Sequence, residues 1–217
     1  MFAILSRLGC RKCASFFQHD NDNNNKTEKS FSELDVKTKE EEGDSKNKCC
    51  LSTRQVFSLK QSWKAIMRDD VGFGIEMFIR LFKTSSHLQT MFQGFKDIRS
   101  DDELRSNEAL EYHATLVMTT LDDAITHIDN YDFVKQLLSK TGASHVKFAG
   151  FKSTNFLAIK EPFLEAVRVT LGDRYTENMQ NIYTIAIIFI LETLKQGMEE
   201  ALEKAGSSEV AQGNIRV

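Results

Sequence analysis

From Leu51 to Ala205 the apolar residues return every three or four positions. That is the repeat of one face of an α-helix, and it excludes most other folds. Val56, Leu59, Trp63, Ile66 and Met67 form one stripe, with Ser52 or Thr53 before it as N-cap. Val71, Ile75, Phe78, Ile79 and Phe82 form a second. Leu110, Ala114, Val117, Leu121, Ala124, Ile125 and Ile128 form a third. Asp101, Asp102 and Glu103 stand near its start, where a helix dipole favours acids. Shorter patterns cover Tyr131 to Leu138, open to extension as far as His145, and Phe156 to Leu171, which Gly172 closes as a C-cap. The last pattern runs from Tyr175 to Ala205, with Ile182, Ile185, Ala186, Phe189 and Leu194 among its candidates for burial. No segment alternates strictly, as a half-buried strand does, and the β-branched stretch Ile185 to Ile190 lies inside the longest helical pattern. Proline makes up about 5% of an average chain, yet Pro162 is the only one here. It either kinks the Phe156–Leu171 helix or marks a later start. The expectation is an all-α domain over residues 51–205, long enough to enclose a core.

The chain divides near residue 50. Residues 20–50 are rich in Asp, Asn, Glu, Lys and Ser and hold few apolar side chains. They read as a disordered linker, because they cannot bury enough surface to offset the entropy of ordering. Residues 206–217 read as a flexible tail. Residues 1–19 differ: Arg7, Arg11 and Lys12 are interspersed with Phe2, Ile4, Leu5, Leu8, Phe16 and Phe17. The four cysteines, Cys10, Cys13, Cys49 and Cys50, all lie before the helical domain. Cysteines in a basic amphipathic segment are lipidation candidates, and acylation of both Cys10 and Cys13 would anchor the chain stably to a membrane surface. That places the protein in the cytoplasm, tethered at a membrane. A mitochondrial presequence, a metal or redox cluster, and a tail with free thiols are the other readings. The net charge of −3 offers no electrostatic footprint for nucleic acid, and no apolar run reaches the roughly 18–20 residues that span a bilayer.

Five histidines occur: His19, His87, His113, His127 and His145. The helical domain carries no H-E-x-x-H, G-x-S-x-G or P-loop, so no conventional enzyme motif is present. His19 falls in the N-terminal extension, His87 in the polar corner SSHLQ, and His127 late in the third stripe. His113 stands between Leu110 and Val117 and so borders an apolar face. His145 follows the loop-like SKTGAS and precedes VKFAGF. Taken singly, each is more often a structural histidine than a ligand. Two histidines facing each other from different helices in an aromatic-rich domain suit haem, whose iron takes neutral imidazole as an axial ligand.

Landmarks along the domain resemble the globin superfamily over nearly all of residues 51–205. LSTRQVFSLKQSWKAI is similar to a globin first helix carrying Trp63. Gly74 matches the glycine where the second and fifth helices cross, and Phe78 matches a distal-pocket position. In TMFQGFKDI, Phe92 matches the phenylalanine on the haem face and Phe95 its companion. His113 falls where the family places its distal histidine, Val117 over the ligand site, and His145 at the proximal histidine. Phe148 or Phe151 would line the haem edge, and Tyr183 a core position of the last helix. HATLVMTTLDD and SHVKFAGF look more like neuroglobin-type and nematode neuronal globins than vertebrate myoglobin. Three positions depart from the pattern. Ser86 replaces the usual proline before Phe92, Phe78 is not a tyrosine, and Leu116 stands where related globins often carry a base for a haem propionate. Lys96, Arg99 and Lys147 are the other bases available.

The resemblance implies a three-over-three helical sandwich and haem b (iron protoporphyrin) as cofactor. His145 is its proximal iron ligand, and His113 is either a second iron ligand or a hydrogen-bond donor to a gas. His145 is expected to donate from its other ring nitrogen to Ser144 or to a carbonyl near Thr141. A bis-histidyl haem implies a redox-active or gas-sensing protein that meets oxygen or nitric oxide and a redox partner. Electron transfer and nitrite or nitric-oxide chemistry would be its activities. The competing readings are an oxygen storage or transport globin with an open sixth site, and a haem-free interaction module.

Overall fold

Ser52 opens the first helix with a reciprocal cap. Its hydroxyl accepts from the Gln55 amide at 3.3 Å, and its own amide donates to Gln55 Oε1 at 2.9 Å. In the computed structural model, which describes residues 51–213, this helix is α1, Thr53–Ile66. It is followed by α2 (Asp70–Thr84), a single turn α3 (Ser86–Gln89), and α4 (Asp101–Arg105). Then come α5 (Glu108–Thr126), α6 (Tyr131–Ala143), α7 (Lys160–Leu171) and α8 (Glu177–Gly213). No strand occurs among the described residues. None of the described helices is long and apolar enough to cross a membrane. Cys10, Cys13 and the 20–50 linker lie outside the described residues.

The helices stack in two layers, α1, α5 and α6 over α2, α7 and α8. α2 packs on α5, and α8 packs on α6. Trp63 anchors one end of the core, edge-on to Phe73 at 6.3 Å and beside Phe163 at the same distance. Its indole N–H donates to Asp122 Oδ1 on α5 at 2.8 Å. Tyr183 is fully buried, with its hydroxyl 3.0 Å from that of Ser62. Burial pushes the phenol well above its usual range.

Glycines set the two crossings that matter for the site. A Cβ at Gly74 would lie 2.9 Å from Met118 Cγ and 3.1 Å from Ala114 Cβ. Only a residue without a side chain therefore lets α2 approach α5 this closely. The α6–α8 crossing is tighter still. A Cβ at Gly142 would fall on the Leu194 carbonyl, and one at Gly197 would meet the Ser139 backbone with Cα at 2.5 Å.

Five boundaries differ from the periodicity reading. Asp101, Asp102 and Glu103 do not start the third stripe. They form the first turn of α4, capped by Ser100, while Asn107 caps α5 by accepting from the Leu110 amide at 3.0 Å. SKTGAS is helical through Ala143, and α6 ends there, short of His145, in a 3₁₀ turn over Ser144–Lys147. Phe156 lies in a 3₁₀ segment, Ser153–Ile159, and α7 starts at Lys160. Pro162 thus falls in a first turn, where a missing N–H costs no helical hydrogen bond. The last helix begins at Glu177, because the Thr176 hydroxyl accepts from the Met179 amide at 3.3 Å. It continues through Gly213. Ala205 and Ala211 favour helix, no proline intervenes, and Ser207 Oγ satisfies the Glu203 carbonyl at 2.8 Å. Gly172 closes α7 at φ 53°, as expected.

Candidate functional site

His113 lies in the N-terminal third of α5, on the face that meets α2. The Gly74 crossing brings the two helices close enough for the His113 ring to sit 5.1 Å from Phe78. Phe92 reaches it from the segment after α3, at 4.9 Å, and stacks on Phe95 at 4.8 Å. That segment has no regular structure. The buried Gln89 orders it by donating from Nε2 to the carbonyls of Phe95 at 2.9 Å and Ile98 at 2.7 Å. Sequence reasoning missed Gln89, since a glutamine in SSHLQ carries no local sign of burial.

His145 is in the 3₁₀ turn that follows α6. Its Nδ1 lies 2.8 Å from the Thr141 carbonyl and 3.5 Å from Ser144 Oγ. A carbonyl only accepts, so Nδ1 bears the proton and Nε2 keeps its lone pair. Three phenylalanine rings surround this imidazole: Phe156 at 4.9 Å, Phe151 at 5.3 Å and Phe148 at 5.7 Å. Both edge candidates, Phe148 and Phe151, therefore sit beside His145. Phe156, which the periodicity placed at the start of a helix, is its nearest aromatic neighbour.

The two histidines line one cavity of about 410 Å³, together with Phe78, Phe92, Val117, Phe148 and Phe151. Ile187 and Leu191 of α8 form its floor, which no motif had marked. Burial lowers the His113 imidazole to about 4, and repulsion from His145 adds to the shift. Burial also lowers His145. The Thr141 carbonyl opposes that, and the nearby charge of Lys147 adds to it. Both rings are therefore neutral near pH 7, the form that donates a lone pair to a metal. His113 makes no hydrogen bond to another described residue that would occupy either nitrogen. His87 and His127 are exposed, and His127 holds the Asp123 carbonyl at 2.9 Å, so neither belongs to the site.

Among the described residues no group of three or more His, Cys, Asp or Glu side chains could hold a metal ion. A metal bound between these imidazoles must bring its remaining ligands with it. The aromatic lining suits a flat, largely apolar carrier for that ion.

Of the bases named as partners for a carboxylate, Lys147 lines the cavity. Lys96 and Arg99 sit in the 90–100 segment and are absent from the lining. Leu116 lines the cavity mouth and is 48% exposed.

Known proteins are similar to this chain in sequence and fold. Neuroglobin of Chaenocephalus aceratus is 25% identical over 147 residues, covering 68% of this chain and 92% of its own. The crystal structure at pH 4 of a hexacoordinated haem protein from an anhydrobiotic tardigrade is 33% identical. It covers 69% of this chain and 96% of its own, with a TM-score of 0.66. Haemoglobin of the botfly Gasterophilus intestinalis, at 18% identity, agrees in fold with a TM-score of 0.61, covering 69% and 99% of the two chains. The family model described as Globin matches residues 75–194, which include Phe92, His113 and His145. With the two-layer helical sandwich and the paired histidines at one apolar cavity, that match makes this chain a member of the globin family.

Proposed function

We propose that this globin binds haem b in the cavity, with His145 and His113 as its two axial nitrogens. The observation that carries the reading is the state of the two rings. His145 has its proton committed to Thr141 and a lone pair on Nε2, and His113 is neutral with no partner among the described residues. The fit of the remaining residues supports it: Phe92 and Phe78 on one side, Phe148, Phe151 and Phe156 on the other, and Val117 over the space between. When bound, haem supplies one-electron chemistry and a site for oxygen or nitric oxide. The chain itself holds one imidazole by a backbone hydrogen bond, supplies a second, and keeps bulk water out. A site whose second imidazole competes with gases suits electron transfer, nitrite or nitric-oxide chemistry, or gas sensing with an unidentified redox partner, more than oxygen storage. The 33% identical tardigrade protein, named as hexacoordinated, favours the same reading.

Purified protein reconstituted with haem should show a Soret band, and His145→Ala should abolish or greatly weaken retention. The ferrous spectrum without added ligand should show sharp split visible bands that broaden in His113→Ala. A single broad band in the wild type sinks the bis-histidyl assignment and leaves an open-site oxygen carrier. No Soret band at all leaves a haem-free helical module. Acylation at Cys10 and Cys13, with peripheral membrane association of a cytoplasmic protein, is part of the same proposal. Unchanged membrane partitioning of the Cys10→Ser, Cys13→Ser double variant would remove it.

A further inference from the structure

α2 lines two separate hollows. Met77, Phe78 and Leu81 face the histidine cavity, while Phe73, Glu76 and Arg80 follow one another at helical spacing on another face. That second face borders a groove of about 410 Å³, completed by the end of α1 and by α7, and no residue lines both hollows. Small residues give it room: Ala65 on α1, Gly72 on α2 and Ala166 on α7 stand where larger side chains would fill it. Buried Ile66, Phe73 and Ile75 make its floor apolar. A volume in this range suits a small organic molecule.

The two ends of the groove carry opposite charge. At one end two guanidiniums share a single carboxylate. Arg80 Nη1 donates to Glu76 Oε2 at 3.1 Å, and Arg105 Nε donates to Glu76 Oε1 at 2.6 Å. Arg105 Nη1 also donates to Asp102, whose side chain is 93% exposed and does not line the groove. Nε and Nη2 of Arg80 and Nη2 of Arg105 donate to no other described residue. No polar side-chain atom among the described residues is buried without a partner, so these N–H groups face the groove or solvent. At the other end Asp69 accepts from the Gly72 amide at 3.1 Å. A Cβ at Gly72 would lie 2.7 Å from the Asp69 carboxyl carbon, so glycine is what lets the acid fold over the groove. Seven residues separate Asp69 from Glu76, roughly 10 Å of helix.

We infer that this groove binds an aliphatic monocarboxylate. Its carboxylate accepts from the spare N–H groups of Arg80 and Arg105, and its chain lies along Ile66, Phe73 and Ile75 toward Asp69. Arginine presents paired donors that match a carboxylate. Asp69 sets the selectivity, because a second acid at the far end of the chain would meet it and be repelled. An amine in place of the acid would face the two guanidiniums. The site is separate from the histidine cavity and stands or falls apart from the haem reading.

The test titrates the isotope-labelled full chain with octanoate, octanedioate and octylamine, followed by amide NMR shifts. Octanoate should shift Gly72, Phe73 and Val169 saturably. Arg80→Gln should weaken it about tenfold, as loss of a charge-assisted hydrogen bond does. Val169→Glu places a like charge at a wall position that is 55% exposed and should weaken it without disturbing the core. Octanedioate should bind more weakly than octanoate, and Asp69→Asn, which keeps a capping side chain, should narrow that gap. Octylamine should bind far more weakly than octanoate. Unchanged octanoate affinity in Arg80→Gln overturns the inference, and so does equal binding of octylamine. Octanoate shifts confined to Val117 and Lys147 would put the acid in the histidine cavity and overturn it too, as would no saturable shift at all. An unaltered preference for octanoate over octanedioate in Asp69→Asn removes the selectivity assigned to that residue.

Discussion

Replacing Gly142 with alanine would set a methyl group against the backbone of α8. The added Cβ would lie 2.8 Å from the Leu194 carbonyl carbon and 3.1 Å from its Cα, where ordinary contact is 3.4–4 Å. A side chain could swing away, but a helix backbone cannot, so α6 and α8 must part by roughly an ångström in a region packed at crystal-like density. Overpacking of this kind costs about 1–3 kcal/mol, and a clash of backbone with methyl belongs at the upper end. Alanine recovers about 1 kcal/mol through its better helix propensity, which leaves a net loss of about 2 kcal/mol. The same substitution at Gly206, also in α8 but with nothing within 4 Å of its Cβ, should instead stabilise by up to about 1 kcal/mol. Urea denaturation of the two variants beside wild type measures both. His145 lies three residues beyond Gly142, so Gly142→Ala should also weaken the split ferrous bands of haem-loaded protein. A Gly142→Ala protein as stable as Gly206→Ala, with an unaltered ferrous spectrum, would refute the claim that this crossing positions His145.

Other outcomes follow from single contacts. In haem-free protein, His113 is held near 4 while it titrates near 6.5 once unfolded. The unfolded chain therefore binds the extra proton first as pH falls, so the native state loses about 3 kcal/mol between those values and nothing further below them. His113→Leu should flatten that part of the stability–pH curve, and parallel curves for the two proteins would contradict it. Gln89→Leu removes the donor to two carbonyls and should cost about 1–3 kcal/mol, with faster amide exchange around Phe95 and Ile98 as the local readout. Tyr183→Phe removes the hydroxyl–hydroxyl bond to Ser62 at 3.0 Å, leaving Ser62 Oγ bonded to the Leu59 carbonyl, and should cost about 1 kcal/mol in thermal unfolding. Trp63→Phe removes the N–H donated to Asp122 at 2.8 Å and should cost about 1.5–3 kcal/mol by denaturant titration.

What could be read from the chain itself divides along physical lines. Phe78, Phe92, Val117, Phe148, Phe151, His113 and His145 all line the cavity. They were legible through the globin resemblance: Phe78, Val117 and His113 also stand on or beside a periodic face, whereas Phe92, His145, Phe148 and Phe151 lie in segments without one. The tautomer of His145 was legible as well, since a turn that places an imidazole one helical turn after Thr141 offers that carbonyl. Gly142 and Gly197 were not. SKTGAS has the composition of a loop, and its glycine serves a helix–helix approach whose partner lies on another element. Gln89 escaped for a similar reason, because burial of a polar side chain is decided by carbonyls six and nine residues away. The start of α7 at Lys160 hinged on Pro162, whose two readings the apolar pattern could not separate.

The placement of the two histidines has a mechanical consequence. His113 belongs to a helix of 19 residues with intact turns on both sides, and its helix is locked to α2 at Gly74. His145 belongs to a four-residue 3₁₀ turn that starts where α6 stops, and beyond it the chain leaves regular structure until Ser153. Short 3₁₀ turns have poorer hydrogen-bond geometry than α-helix and open at lower free-energy cost. The two donors therefore differ in stiffness: one is a fixed post and the other a compliant arm pivoting on the Gly142 contact. Any change in the gap between them is taken up on the His145 side, and amides from His145 to Lys152 should exchange with solvent well before those of Leu110 to Met118.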